Sequence, residues 1–362
     1  MAIPYSRYII GGIPWYSVLM VSGILFAYLL GAREERRVGL PKDAMLDMVL
    51  IAVPFGILGA RLYYVLMSLD QFAADPISVL YIWQGGIAMY GALLGGAAAV
   101  YIHCRIKRRS FLSLLDISAP GLALAQAIGR WGNYFNREAY GPVIQNASWQ
   151  FFPAGVIIGD GMAQTWHVAT FFYESMWNAA AFIVLWLTRK RMKQRGDAFL
   201  WYLALYGSGR FLVEQLRQDS LFAFGFRASQ YLSLLLCFGV AAVFLYRQAR
   251  KASGEALAAS LLACAVPFAR LLLPSDTLLS AIPLVLLLAA ITCLLLAKPA
   301  PRFAMIWLVF DMTVSLFLLV FGLTWVWHSP YFIYAGLSIP LSLSIPYATL
   351  SGSKLPQPVS EV

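Results

Sequence analysis

In the segment YGSGRFLVEQLRQDS, residues 206–220, Tyr206, Arg210 and Glu214 recur at intervals of four. On a helix they line one face. An arginine held by a carboxylate on a fixed helix is suited to gripping a phosphate, because the guanidinium fork matches its oxygens. Arg217 follows one turn later, and Gly207 and Gly209 allow close backbone approach. A second arginine lies in GRWGNYFNREAYG, residues 129–141. Arg130 stands there between Gly129 and Gly132, with Asn133 and Asn136 about a turn apart and Glu138 beyond. The amides can donate to phosphate or ester oxygens, Glu138 can orient the guanidinium, and Arg137 is placed for an exposed headgroup contact.

Other polar residues interrupt apolar runs. GGIAMYGALLGG, residues 85–96, sets Tyr90 among five glycines, a composition that also suits close helix packing. WHVATFFYE places His167 at the mouth of a span, with Glu174 seven residues deeper on the same face. GARLYYV carries Arg61, and WYS carries Tyr16 where an aromatic interface belt is expected.

The elements that must position these residues are membrane helices. The 362-residue chain is 60% hydrophobic and 12% charged, against about 45–50% and about 25% in soluble domains. Apolar spans are predicted over 13–31, 44–69, 77–102, 111–128, 169–188, 198–216 and 229–247, followed by 256–273, 277–297, 303–327 and 331–350. Asp116 and Pro120 make 111–128 the weakest of them. The net charge of +10 sits in short basic clusters at 33–42, 105–109, 189–195 and 247–251, after every second span, with Lys298 and Arg302 continuing the pattern. These are topology and lipid-contact signals rather than a nucleic-acid surface, and they place the N-terminus outside and the C-terminus inside. The 129–168 connection then falls on the extracytoplasmic side. The four cysteines (Cys104, Cys237, Cys264 and Cys293) and three histidines are too scattered for a disulfide framework or a metal site.

An ionisable side chain at mid-bilayer costs about 2.5–3.5 kcal/mol on insertion scales. In the deduced orientation Arg61, Arg130, Glu174, Arg210 and Glu214 share the outer layer, which suggests either a common polar cavity for an anionic lipid headgroup or a structural ion-pair network. Asp116 and Asp311 fit no such layer; capping or snorkelling suits them better.

In this order WYS, GARLYYV, GGIAMYG, GRWGNYFNREAYG, HVATFFYE and YGSGRFLVEQLRQDSL resemble the prolipoprotein diacylglyceryl transferases, bacterial integral membrane enzymes, over residues 1–250. The resemblance implies an all-α bundle with a seven-helix core and an extracytoplasmic catalytic face in the cytoplasmic (inner) membrane. It implies that the diacylglyceryl group of phosphatidylglycerol passes to the lipobox cysteine thiol of a prolipoprotein signal peptide, releasing glycerol phosphate without metal or organic cofactor. It also implies that Arg130, Asn133, Glu138 and Gly141 are signature residues, that Arg210 is the second essential arginine, and that Tyr16, Tyr206 and Glu214 complete the site. Many relatives carry histidine where this chain has Tyr90, and a phenol is a poor base at neutral pH. The base stays open among Tyr90, His167 and Glu214. Ser17 and Val168 replace a common glycine and a common proline. Residues 251–362 lie outside the resemblance and add up to four apolar spans, read as a membrane appendage for docking or stability. A non-catalytic phosphatidylglycerol-binding relative and an anionic-lipid flippase are the competing readings; the latter lacks visible repeats.

Overall fold

The computed structural model describes residues 6–216, apart from positions 10, 74, 160–163 and 193, and isolated positions between 222 and 247. The span expected at 229–247 lies largely outside the described residues. The four beyond it, with Arg217 and Asp311, lie outside entirely. What is described is helix-rich: α1 (Trp15–Glu34), α2 (Ala44–Met67), the short α3 (Leu69–Ala73), α4 (Met89–Ile106), α5 (Phe111–Asn136), α6 (Thr170–Thr188) and α7 (Asp197–Gln215). Among the described residues α1, α2 and α5 are long and apolar enough to cross a membrane. The chain forms two compact units. One comprises the described parts of Met1–Met20, Gln126–Lys193 and Leu200–Val362; the other comprises Val21–Ala125 and Gln194–Phe199.

Two expected boundaries are corrected. The third span begins as helix only at Met89, not at 77. Residues 76–88 form two 3-10 turns, Pro76–Leu80 and Ile82–Gln84, and then pass through Gly85 (φ +90°) and Gly86 (φ +69°). Apolar composition concealed a segment whose proline and paired glycines interrupt the helix. The fourth span runs on to Asn136 despite Pro120, so Gly129 to Asn136 is helix rather than loop. Its aromatics explain why. Trp131 packs against Phe171 and Phe172 at ring separations of 5.7 and 6.1 Å, and Phe135 stacks on Trp15 at 4.9 Å. These contacts fix a helical face that polar neighbours obscure in a linear reading.

In the second unit, α2 and α4 meet through glycines. A Cβ on Gly59 would stand 2.5 Å from the Gly91 carbonyl oxygen, and one on Gly95 2.7 Å from that of Phe55. Only backbone fits there, as in small-residue membrane packing. At the other ends of these helices Leu40, Met45, Val100, Cys104, Leu114 and Ile117 are buried together. Asp116, a capping candidate, does cap: its carboxylate accepts the Gly196 and Phe199 amides at 2.6 and 3.1 Å, covering the N-terminal end of α7. In the first unit a hairpin, absent from the sequence reading, pairs β1 (Gly155–Ile158) with β2 (Thr165–Val168), His167 opposite Val156. A second small ladder joins Phe222–Ala223 to Phe226–Arg227.

Candidate functional site

The first unit carries four of the predicted charged residues in one chain of contacts. Arg130 Nη2 lies 2.5 Å from Glu174 Oε1, and Arg210 Nη1 approaches the same oxygen at 3.6 Å. Arg210 Nη2 also stands 2.5 Å from Glu214 Oε2, a charge contact rather than an aligned hydrogen bond. Arginines eighty positions apart thus converge on one carboxylate, close enough to flank a single phosphate. The elements hold them there. Trp131, next to Arg130, sits in the aromatic cluster with Phe171 and Phe172, one turn before Glu174. Ser175 Oγ donates to the Ala127 carbonyl at 2.8 Å, tying α6 to α5. On α7, Gly209 faces the Trp177 indole so closely that no Cβ fits, while Trp177 Nε1 donates to the Leu205 carbonyl at 2.8 Å.

The quartet is formally neutral, so relative exposure decides what it can do. The side chains of Glu174 and Glu214 are 6% and 4% exposed, those of Arg130 and Arg210 23% and 17%. The carboxylates lie behind and the guanidinium groups in front. Each ion pair engages only part of a five-donor fork, and the remaining N–H groups are available to an anion.

The rest of the 129–141 stretch closes α5 and turns beside it. Arg137 (φ +55°) takes the left-handed position; its amide donates to the Tyr134 carbonyl and that of Glu138 to the Asn133 carbonyl, at 3.2 and 3.0 Å. This is a Schellman termination with arginine where glycine is usual. It folds Glu138 back so that Oε1 accepts from Asn133 Nδ2 at 2.9 Å and from Asn136 Nδ2 at 3.2 Å. The expectation that Glu138 orients a guanidinium is therefore corrected: Glu138 holds the two amides, and Glu174 holds Arg130. Gly141 is buried, its amide donating to the Val168 carbonyl at 2.9 Å. A Cβ there would stand 2.8 Å from the Leu216 carbonyl oxygen and 2.9 Å from Val168 Cβ.

His167 does not share a helix face with Glu174, because it lies on β2, before α6 begins. Its ring is buried; Nδ1 is 2.8 Å from the Gly141 carbonyl oxygen and Nε2 2.9 Å from Thr165 Oγ1. Tyr16 lies against Gly132, whose added Cβ would be 2.6 Å from Tyr16 Cδ2, and Tyr206 stacks on Tyr202 at 6.1 Å. Thr170, whose hydroxyl donates to the Ala139 carbonyl, and Trp177 support the site without having been singled out in the sequence. Nothing in their local spacing announces a long-range partner.

Arg61 and Tyr90 belong to the second unit. The Arg61 side chain is directed to backbone carbonyls of 78–86, and Tyr90 is 43% exposed in the first turn of α4.

Comparison with known proteins agrees with the resemblance read from the motifs. The profile of one family, described as prolipoprotein diacylglyceryl transferase, matches residues 7–246. The phosphatidylglycerol–prolipoprotein diacylglyceryl transferase of Enterococcus faecalis is 43% identical over 244 residues, covering 66% of this chain and 88% of the relative. Those of Halalkalibacterium halodurans and Streptococcus equi subsp. equi are each 40% identical, covering 67% and 66% of this chain and 84% and 91% of the relatives.

Proposed function

The chain belongs to the prolipoprotein diacylglyceryl transferase family, and we propose that this bacterial membrane protein transfers the diacylglyceryl group of phosphatidylglycerol to the lipobox cysteine thiol of a prolipoprotein. The observation that carries the reading is the meeting of Arg130 and Arg210 at Glu174 Oε1. The cysteine sulfur attacks the glyceryl carbon bonded to the phosphate oxygen. The S–C bond forms as the C–O bond breaks, the electron pair leaves with glycerol phosphate, and the thiol proton passes to a base. Negative charge grows on the departing phosphate, where the two guanidinium groups meet it. Donors held in place beforehand stabilise such charge without reorganising during the step.

Glu174 and Glu214 serve as positioning residues that aim the guanidinium groups. Asn133 and Asn136, held by Glu138, present amides to the headgroup; Tyr16 and Tyr206 line the same unit, and Tyr90 on α4 is a lipid-positioning residue. A thiol has a pKa of about 8.5, and an electropositive surround favours the thiolate. The candidate proton acceptors differ in setting. Both ring nitrogens of His167 are engaged, which suits a positioning role for the 139–141 turn, Glu214 is in contact with Arg210, and Tyr90 is exposed. The site faces the extracytoplasmic side, the N-terminus lies outside, and residues 251–362 form a membrane appendage to a catalytic core over 1–250.

The test is direct. Purified protein is incubated with phosphatidylglycerol and a lipobox peptide, and the peptide is weighed. The expected gain is one diacylglyceryl group, strongly reduced with Arg130→Ala and with Arg210→Ala, and absent with a peptide carrying serine in place of cysteine. Lipid translocation without peptide modification would overturn the reading in favour of a flippase.

A further inference from the structure

Arg61 is 8% exposed, lies in an apolar helix, and has no carboxylate partner among the described residues. Its charge is met by main-chain oxygens instead. Nε donates to the Val79 carbonyl at 2.8 Å, Nη2 to that of Ser78 at 2.6 Å, and Nη1 to those of Gly85 and Gly86, both at 2.9 Å. The Phe72 ring lies 5.2 Å from the guanidinium carbon. All three guanidinium nitrogens are thus engaged, and the first 3-10 turn and the glycine pair are drawn to one point.

The Gly85–Gly86 turn fits this cage. Both residues have positive φ, and a Cβ on Gly86 would stand 2.6 Å from Arg61 Nη1 and 2.8 Å from Tyr64 Cε1. Two residues later the Ala88 amide donates to the Ala60 carbonyl at 3.1 Å, and α4 begins at Met89, followed by Tyr90. The start of α4 is therefore pinned from α2 through adjacent residues, Ala60 by its carbonyl and Arg61 by its guanidinium.

We infer that Arg61 is a positioning residue rather than a lipid ligand: by gripping the carbonyls of 78–86 it sets where α4 begins and how Tyr90, in the first turn of that helix, is presented to lipid. This rests on the transferase reading for the role of Tyr90, but not for the cage itself.

Two measurements on the full chain test it separately. In the first, amide hydrogen exchange is compared for wild type, Arg61→Met and Gly86→Ala. Exchange over 78–90 should accelerate about tenfold or more in both variants; unchanged exchange overturns the cage whether or not the protein is a transferase. In the second, transfer is followed with phosphatidylglycerol vesicles and lipobox peptide. Gly86→Ala, which keeps the arginine, should raise the KM for lipid about tenfold and leave the KM for peptide unaltered. Arg61→Met should do the same, and should cost under about threefold more once Tyr90→Phe is present, because the two changes remove one linked effect. Losses that multiply, or a fall in kcat with both KM values unchanged, would overturn positioning. Arg61→Lys adds a further arm: a phosphate ligand keeps much of its affinity as a point charge, whereas the cage needs the fork. Near-normal lipid KM in Arg61→Lys together with a raised KM in Arg61→Met overturns the proposal. Absence of transfer by wild type overturns the transferase reading and leaves the exchange result to judge the cage.

Discussion

Three arginines in apolar helices of this protein meet their desolvation cost in two ways. In one unit Arg130 and Arg210 share a buried glutamate, with side chains 23% and 17% exposed. In the other, Arg61 is enclosed by carbonyls of 78–86. A carboxylate satisfies a guanidinium from one side and leaves other donors facing outward. A ring of carbonyls takes donors from every edge and leaves a structural bolt. On the proposed reading, charge in an apolar helix marks a ligand site where its partners approach from one side.

The comparison can be broken most sharply at the paired arginines. Arg130→Ala or Arg210→Ala should each lower transfer to the lipobox peptide by about a hundred- to a thousandfold, the scale of one lost transition-state donor. Mass spectrometry of the peptide measures it, and loss of less than about tenfold in either variant would remove the premise that both face the leaving phosphate. Glu174→Gln tests the shared carboxylate next. Removing one member of a buried charge network should destabilise the protein by about 3–5 kcal/mol, read as a lowered unfolding midpoint in detergent, with transfer impaired as both guanidinium groups lose their anchor. A midpoint like that of wild type would mean that the pair is held by something else.

Smaller effects sharpen the picture around the site. Gly141→Ala forces a methyl toward the Leu216 carbonyl and Val168, and overpacking of this kind costs about 1–3 kcal/mol. The unfolding midpoint should fall, and it should fall further with Gly141→Val. Asp116→Ala removes the acceptor for two amides at the start of α7, a capping loss of about 1 kcal/mol; thermal unfolding reads this too. The smallest change is expected from deleting residues 255–362, which should leave transfer within about twofold if the core is an independent unit. Abolished transfer in a well-folded truncation would make the appendage part of the machinery.

Much of the helical layout was legible in the sequence because the membrane imposes a length and a polarity on each span. The boundaries that were missed share a cause. Residues 77–88 are apolar enough to pass for membrane helix, yet Pro76, Gly85 and Gly86 bend them around a guanidinium supplied from 61. Residues 129–136 are polar enough to pass for a loop, yet Trp131 and Phe135 find partners at 171–172 and at 15 that keep them helical. His167 read as the mouth of a span, on one face with Glu174, and lies on a strand, since its pairing with Val156 is set by a hairpin.

Composition, span length and the i, i+4 spacing of Arg210 and Glu214 sufficed to place basic and acidic groups in a membrane and to suggest a phosphate as their target. They did so because burying a charge is costly enough to leave a trace in any apolar sequence. Which carboxylate faces which guanidinium was decided only in three dimensions. Glu174 rather than Glu138 took Arg130, and Arg61 found carbonyls instead of an acid. Coulombic and hydrogen-bond partners are chosen by distance in space, and distance along the chain carries no record of that choice.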